Sequence, residues 1–293
     1  MRTHGIRWAI GTGMLSATLA GATPTTAAGF ATAVIHYEPG VGYATDWATG
    51  AGYTDPGTAL GVPSRITVDP DPQWGGTFEV NPFSGPYLLS QVVSVGEGGS
   101  LTVRLGTPAT DEPTHPYGVD FMIFGHSAFL ITNGDYTGGG ITDGSLLGAA
   151  EPGSTRVEVS ADGATFYELN PSLAPVVDGL FPTDGRGDFS QPVNPSLTAT
   201  DFDGLGLPEM RTLYAGSAGG AGYDLAWAID EQGNPVTVAA AEYIRVSVLG
   251  GHAEIDGFSV VPEPSSLALL VVGGMLLSCG FRSRTATAAR RRQ

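Results

Sequence analysis

Glycine and proline interrupt this chain so often that long regular elements have little room between them. The 293 residues include 44 glycines and 21 prolines, a share that favours short strands and many turns over long helices. Between the turns, residues 100–105 alternate strictly between apolar and polar side chains, and residues 156–160 and 243–249 also alternate, with Ile244, Val246 and Val248 on the apolar side of the last segment. Alternation with a period of two is typical of half-buried strands. Residues 119–124 are apolar on both faces except at Asp120, which indicates a central strand.

The connections between these segments have recognisable turn chemistry. Asp162-Gly163 lies between two strand patterns, and this pair is a strong hairpin signal because glycine takes a positive φ without steric cost. Residues 133–150 and 170–195 are rich in Gly, Pro, Asp and Asn. They are long for ordinary connections, so we expect binding loops or flexible excursions there.

The central part of the chain therefore predicts an all-β fold. No helical period of useful length and no fixed repeat is visible in it. Numerous short strands with such turns indicate a jelly-roll-type β-sandwich with long loops. We assign this surface domain to residues 34–260.

This central part is also strongly acidic. Residues 34–261 carry 28 acids against 6 arginines, a net charge of −22, and the chain has no lysine. Repulsion from phosphates argues against a nucleic-acid partner, and an anionic lipid surface is equally disfavoured. Divalent cations and basic partners remain open. The single cysteine, Cys279, allows no disulfide within the chain.

The N-terminus has the layout of a secretory signal peptide. Two arginines precede an uncharged run at residues 8–22, and small residues follow. Cleavage after Ala22, Ala28 or Ala33 fits the small residue that stands two positions before each. We favour Ala28, which assigns residues 1–28 to a signal helix. The alternative is an amphipathic or membrane-spanning helix.

The C-terminus has three consecutive parts. Val261, Pro262, Glu263 and Pro264 precede an uncharged run of 17 residues at 265–281, close to the short limit of roughly 17–25 residues for a bilayer span. The arginines that follow are Arg282, Arg284, Arg290, Arg291 and Arg292. Because such clusters stay on the cytoplasmic side, they predict a single transmembrane helix, a basic cytoplasmic tail at 285–293 and a sandwich held outside the inner membrane.

This order of Pro-Glu-Pro, apolar helix and arginines resembles the PEP-CTERM sorting signal of Gram-negative bacteria, here residues 261–284. The resemblance implies that a membrane protease, an exosortase, recognises the Pro-Glu-Pro element and removes the tail. It also implies an association with exopolysaccharide and the cell surface. The alternative is a plain membrane anchor.

The central part resembles a class of uncharacterised bacterial cell-surface domains. Three segments carry the likeness: GVDFMIFGHSAF at 118–129, RVEVSADGATFYEL at 156–169 and GYDLAWAIDEQGNPVTVAAAEYIRVSV at 222–248. The resemblance implies a galactose-binding-type sandwich, and the class has no settled activity. It would place an acidic residue where Ala221 stands, and the absence of that acid counts against a shared metal site.

One acidic loop begins like a calcium site. Asp201, Asp203 and Glu209 offer oxygen ligands around a glycine turn, which suits a hard cation such as structural calcium. The third acid of an EF-hand loop is missing, so the alternative is that these residues only form turns. Carboxylates that neighbouring loops could add are Asp184, Asp188, Asp224, Asp230 and Asp256.

Two carboxylates, Asp120 and Asp256, fall inside apolar strand patterns. A buried carboxylate must be paired, hydrogen-bonded or directed into a cleft. We expect pairing with Arg104 or Arg245, with a ligand role as the alternative. Arg186-Gly187-Asp188 spells a cell-adhesion tripeptide, which a turn explains equally well.

The functional prediction rests on the predicted signal peptide and sorting signal, and on the catalytic motifs that the sequence lacks. The sequence contains no nucleophile-elbow, phosphate-loop or zinc motif. We therefore expect a non-catalytic surface or matrix protein that associates with exopolysaccharide. The alternatives are a secreted glycosidase or lyase whose paired carboxylates meet only in the fold, and a self-associating coat component. Loop aromatics that could stack on sugars are Tyr43, Trp47, Tyr53, Trp74 and Tyr136.

Overall fold

The computed structural model describes residues 29–69 and 75–263. The predicted signal helix, transmembrane helix and arginine tail lie outside the described residues, as do Trp74 and Pro264. Within the described ranges, no helix is long and apolar enough to cross a membrane.

Strands dominate the described residues. Their bounds are β1 Ala31–Glu38, β2 Ile66–Asp69, β3 Gly76–Glu79, β4 Val93–Gly96, β5 Ser100–Thr110, β6 Phe121–Gly125, β7 Ala128–Phe129, β8 Leu146–Leu147, β9 Thr155–Ser160, β10 Tyr167–Leu169, β11 Ala221–Tyr223, β12 Ala228–Ile229, β13 Ala240–Val248 and β14 His252–Val260. One α-helix of the described part, α1, spans Leu207–Tyr214. Short 3-10 turns cover Pro56–Ala59, Pro116–Gly118, Ala199–Phe202 and Leu225–Trp227.

The longer strands form two antiparallel sheets around one core. The larger sheet has the order β1-β5-β13-β9-β10-β12, and the smaller has the order β11-β6-β14-β4. Apolar side chains from both sheets pack in a single cluster, among them Leu101, Val103, Ile244 and Val246 from the larger sheet and Val93, Ile123 and Ile255 from the smaller. The described chain is therefore mostly β, with one helix and a sandwich-like fold, as the alternating segments predicted.

Individual strand predictions are confirmed with small shifts. β5 begins at Ser100 and continues to Thr110, five residues beyond the predicted end. β9 and β10 pair antiparallel across the Asp162-Gly163 turn, where Gly163 has φ +74°. β6 begins at Phe121, so Asp120 lies just before the strand rather than inside it.

Helix α1 is a local element that the prediction missed. It has only eight residues, and two turns give too short a signal to reveal a period of 3.6. Pro208 stands in its first turn, where a missing N–H costs no helical hydrogen bond. Met210 and Tyr214, four positions apart, are its buried residues.

Long loops and α1 cover the outer side of the smaller sheet. There Phe189 packs edge-on against Phe124 of β6, and Tyr214 of α1 joins a further cluster with Phe202. Arg211 ties this layer together through Asp184 at 2.7 Å and Glu79 at 2.9 Å. On the larger sheet the outer side is open to solvent, and residues such as Ile35, His36 and Arg104 are exposed there.

The two ends of the described sandwich lie side by side. The Val260 N–H donates to the Gly29 carbonyl at 2.9 Å. Ala31 is fully buried, so the sandwich begins before residue 34. At the other end Val261 is buried, and its N–H donates to the Asp120 carbonyl at 2.9 Å.

Candidate functional site: a polar groove on the larger sheet

A polar groove opens on the outer side of the larger sheet. Its volume is about 480 Å³, within the range of small-molecule sites. Polar and charged side chains predominate in its lining, which consists of Ile35, His36, Ser100, Thr102, Arg156, Glu158, Gly163, Phe166, Arg245 and Ser247.

Strand register places these side chains in rows. Arg245 of β13 lies opposite Thr102 of β5 and Glu158 of β9. Two positions along β13, Ser247 lies opposite Ser100 and Arg156. Side chains directly opposite in paired strands point to the same face, so the polar half of each alternating segment forms the groove. The apolar half, with Ile244 and Val246, enters the core.

Arg245 is the centre of the groove. Its guanidinium lies 3.6 Å from the centroid of the Phe166 ring, a cation–π geometry. Nη1 of Arg245 is 3.4 Å from one carboxylate oxygen of Glu158 and 3.5 Å from the other. These are long hydrogen bonds, so both side chains retain capacity for a ligand.

The β9–β10 turn closes one side of the groove. Gly163 has a positive φ, which favours glycine, and a Cβ there would lie 3.1 Å from the Tyr243 ring, closer than an ordinary contact. Nearby, Nε of Arg156 lies 3.8 Å from Glu168 and has no hydrogen-bond partner among the described residues.

A separate cluster of three carboxylates, the acidic trio, consists of Asp111, Asp120 and Asp224. One carboxylate oxygen from each lies within 4.8 Å of the others. Burial raises the pKa of Asp224, and the charges of Asp120 and Asp111 add to that rise. Oxygen ligands of this kind suit a hard cation. Asp120 and Asp224 were predicted only as separate candidates and Asp111 was not predicted, because residues up to 113 positions apart meet only in the fold.

The prediction that the buried carboxylates Asp120 and Asp256 pair with arginines is wrong. Asp120 accepts a hydrogen bond from the Leu225 N–H at 2.8 Å and contacts Nδ1 of His115 at 2.8 Å. Asp256 accepts from both the backbone N–H and the hydroxyl of Ser64, at 2.7 Å and 2.8 Å. Arg104 and Arg245 point outward from the larger sheet and therefore cannot reach the smaller one.

The three acids of the predicted calcium loop lie in separate surroundings. Asp201 accepts from the N–H and hydroxyl of Thr198, at 2.7 Å and 2.8 Å, and so caps its own 3-10 turn. Asp203 and Glu209 are exposed. Of the described residues, Asp201, Asp203 and Glu209 do not converge as the acidic trio does.

The other acids that the sequence singled out serve local structure. Asp184 pairs with Arg211, and Asp230 accepts from the Gln232 N–H at 2.9 Å within its turn. In the Arg186-Gly187-Asp188 tripeptide, Arg186 pairs with Glu79. Asp188 accepts from the Ser190 N–H at 2.8 Å. Both ends of the tripeptide are thus engaged within the sandwich.

Two carboxylates and a histidine meet beneath the loops of the smaller sheet. Oε2 of Glu254 lies 3.9 Å from Nε2 of His126, and Asp178 accepts from the Ser127 N–H at 2.6 Å. Burial raises the pKa of Glu254 to about 7, with His126 opposing and Asp178 reinforcing the rise. A carboxyl group with such a pKa can act as a general acid, but Glu254 is only 5% exposed.

The aromatic residues predicted to be exposed divide into two groups. Trp47 and Tyr136 are 86% and 77% exposed, and Tyr43 is exposed as well. Tyr53 is buried, and its hydroxyl donates to the Tyr87 carbonyl at 2.6 Å. Phe166, the ring in the groove, was not among the aromatic candidates, because its position beside Arg245 depends on the β9–β10 turn.

Part of the predicted sorting motif lies within the described chain. Val261 is buried against the sandwich, whereas Pro262 and Glu263 are exposed. The Thr110 hydroxyl donates to the Glu263 carboxylate at 2.7 Å. Pro264, the arginine cluster and the preferred cleavage residue Ala28 lie outside the described residues.

Fold and groove define a sandwich-like β fold with a polar groove on one sheet. No family model matches this chain, and no curated protein matches it. A solved structure described as a pectin-binding carbohydrate-binding module, determined in a monoclinic crystal form, is 10% identical to it. The alignment covers 59% of this chain and 73% of that chain, with a TM-score of 0.21. A TM-score this low does not define a shared fold.

Proposed function

We propose that this chain is an exported, non-catalytic surface or matrix protein that binds polysaccharide in the groove of its larger sheet. The observation that carries the proposal is the set of cross-strand rows that bring Thr102, Arg245 and Glu158 together. Together with the adjacent Phe166 ring, these rows combine donors, acceptors and an apolar surface in one open groove.

The chemistry of the rows suits sugars. A sugar hydroxyl both donates and accepts, and the groove offers donors on Arg245, acceptors on Glu158 and hydroxyls that do both. Neighbouring strands lie about 4.8 Å apart. A row across four or five strands therefore spans roughly 15–20 Å, enough to contact several sugar units of a chain.

We propose that the strands of the two sheets are arranged as a jelly roll of the galactose-binding type. Its support is a nested pairing order, in which β4 pairs with β14 and β5 pairs with β13. Further inside the nest, β6 pairs with β11 and β9 pairs with β10. Nested pairing distributed over two sheets is the pattern that a folded-over hairpin of strands produces.

The proposed cellular location follows from the predicted signal peptide and the predicted sorting signal. A signal helix exports the chain, a transmembrane helix tethers the precursor in the inner membrane, and an exosortase releases it to the surface or extracellular matrix of a Gram-negative bacterium. The exposure of Pro262 and Glu263 at the edge of the sandwich supports recognition of the Pro-Glu-Pro element.

Affinity electrophoresis of the full-length chain in mild detergent tests the binding. Gels containing a panel of bacterial and plant polysaccharides should retard the wild type, and Phe166→Ala should weaken the retardation about tenfold, the loss of one good contact of about 1.4 kcal/mol. Trp47→Ala removes an exposed ring outside the groove and should leave retardation unchanged. If no polymer retards the wild type, with and without calcium, the proposal fails.

The alternative of a carbohydrate-active enzyme is favoured by one observation, the buried carboxylate of Glu254, whose Oε2 lies 3.9 Å from Nε2 of His126. Release of reducing sugar from the polymers of the same panel would support it. Under the binding proposal, the retained polymer keeps its length.

A further inference from the structure

The arginines of the groove face are all paired with glutamates. Arg104 lies 3.1 Å from Glu242. The other pairs are Arg245 with Glu158 at 3.4 Å and Arg156 with Glu168 at 3.8 Å. Each guanidinium on this face therefore has a neighbouring carboxylate that neutralises its charge. A ligand contacts paired charges there instead of a cationic patch.

Arg245–Glu158 is the pair whose two members both line the groove. Side-chain exposure is 32% for Arg245 and 15% for Glu158, so the pair is partly shielded from water and weakly screened. A carboxylate on a ligand would have to compete with Glu158 for the guanidinium. It would also approach the Glu158 charge at close range, which is repulsive.

The net charge of the whole chain also disfavours anionic ligands. The formal net charge of the whole chain is −16, and such a field slows the approach of a polyanion. At physiological ionic strength this long-range effect is cut off beyond about 8 Å. The charge pairs within the groove therefore decide selectivity.

We propose that the groove selects neutral glycans and rejects polyanionic ones, and that Glu158 is the residue that sets this preference. This inference rests on the proposed function and names its ligand class. Arg245 and Glu158 act together as a donor–acceptor pair for adjacent sugar hydroxyls, flanked by the partly exposed hydroxyls of Ser100 and Ser247. A carboxylate on a sugar gains little at Arg245, because Glu158 already neutralises that charge. Arg156 has its own counter-charge in Glu168 at 3.8 Å.

The test compares neutral and anionic polymers with three versions of the full-length chain. Dextran and galactan serve as neutral polymers, and polygalacturonate and alginate as anionic ones, each in affinity electrophoresis. Glu158→Gln keeps the shape of the side chain but frees Arg245 for a carboxylate. Glu231→Gln makes the same change of net charge in the exposed Asp230–Asn234 turn, outside the groove lining. Thermal unfolding checks that all three are folded.

We expect the wild type to be retarded by a neutral polymer and at least about tenfold less by either polyanion, a difference of about 1.4 kcal/mol. Glu158→Gln should gain affinity for polygalacturonate about tenfold, the scale of one freed charge-assisted contact, whereas Glu231→Gln should not. Equal gains in both variants would overturn the role of Glu158, since only net charge would then matter.

Two further outcomes separate this inference from the proposed function. If polyanions retard the wild type as strongly as neutral polymers do, the selectivity is refuted while polysaccharide binding stands. If no polymer retards it, both are refuted.

Discussion

The buried carboxyl group of Asp256 makes the stability of this protein depend on pH. Asp256 is 3% exposed on β14, and both of its carboxylate oxygens are bonded to Ser64. Burial raises its pKa from an ordinary 3.8 to about 7, although the bonds from Ser64 oppose the rise. Replacing it by asparagine removes the ionisation and keeps a side-chain oxygen that accepts from the Ser64 N–H.

The magnitude follows from the two pKa values. A folded-state pKa near 7 exceeds the unfolded value by about three, and each pKa unit corresponds to 1.36 kcal/mol, about 4 kcal/mol in total. The folded state keeps its proton longer as pH rises, so this stability is fully present below about pH 4. It is lost progressively between about pH 4 and pH 7. In Asp256→Asn that contribution to the pH dependence disappears.

Urea unfolding at pH 4, 6 and 8 measures the difference between the two proteins. Relative to wild type, Asp256→Asn should gain about 2–4 kcal/mol between pH 4 and pH 8, the upper figure being the full linkage energy. Glu231→Gln, an exposed control, should follow the wild type at every pH. A stability difference between the two proteins that stays constant from pH 4 to pH 8, or that moves in favour of the wild type, would refute the reasoning, because the Ser64 donors would then be holding an ionised carboxylate.

Two other experiments test the β9–β10 turn and the predicted processing. Gly163→Ala should lower stability by about 1 kcal/mol more than Gly153→Ala in urea unfolding, the low end of the cost of overpacking. Both glycines have positive φ, but only Gly163 would place a methyl group 3.1 Å from the Tyr243 ring; equal losses would contradict that contact. Mass spectrometry of mature protein should find Gly29 as the first residue, because Ala31 already belongs to β1. A mature chain that starts at Val34, or one that keeps its arginine tail, would contradict the proposed processing.

The sequence by itself determined the class of fold and the two faces of the larger sheet. Ile244, Val246 and Val248 alternate with polar residues, and all three are buried in β13. Such alternation is local information, since the pleat of a strand directs successive side chains to opposite faces. The Asp162-Gly163 hairpin was readable for the same reason, because two adjacent residues specify its turn.

Only the tertiary structure decided which polar residues meet. Arg245 and Glu158 are 87 positions apart, and the β9–β13 register alone places them together. The expected partner of Asp120 was an arginine, but the fold directs the arginines to the other sheet and gives Asp120 a histidine. The acidic trio assembles in the same way from the residues directly after β5, before β6 and after β11. Side-chain faces follow from the period of a single segment, whereas sites depend on strand pairing over long separations, which no local pattern encodes.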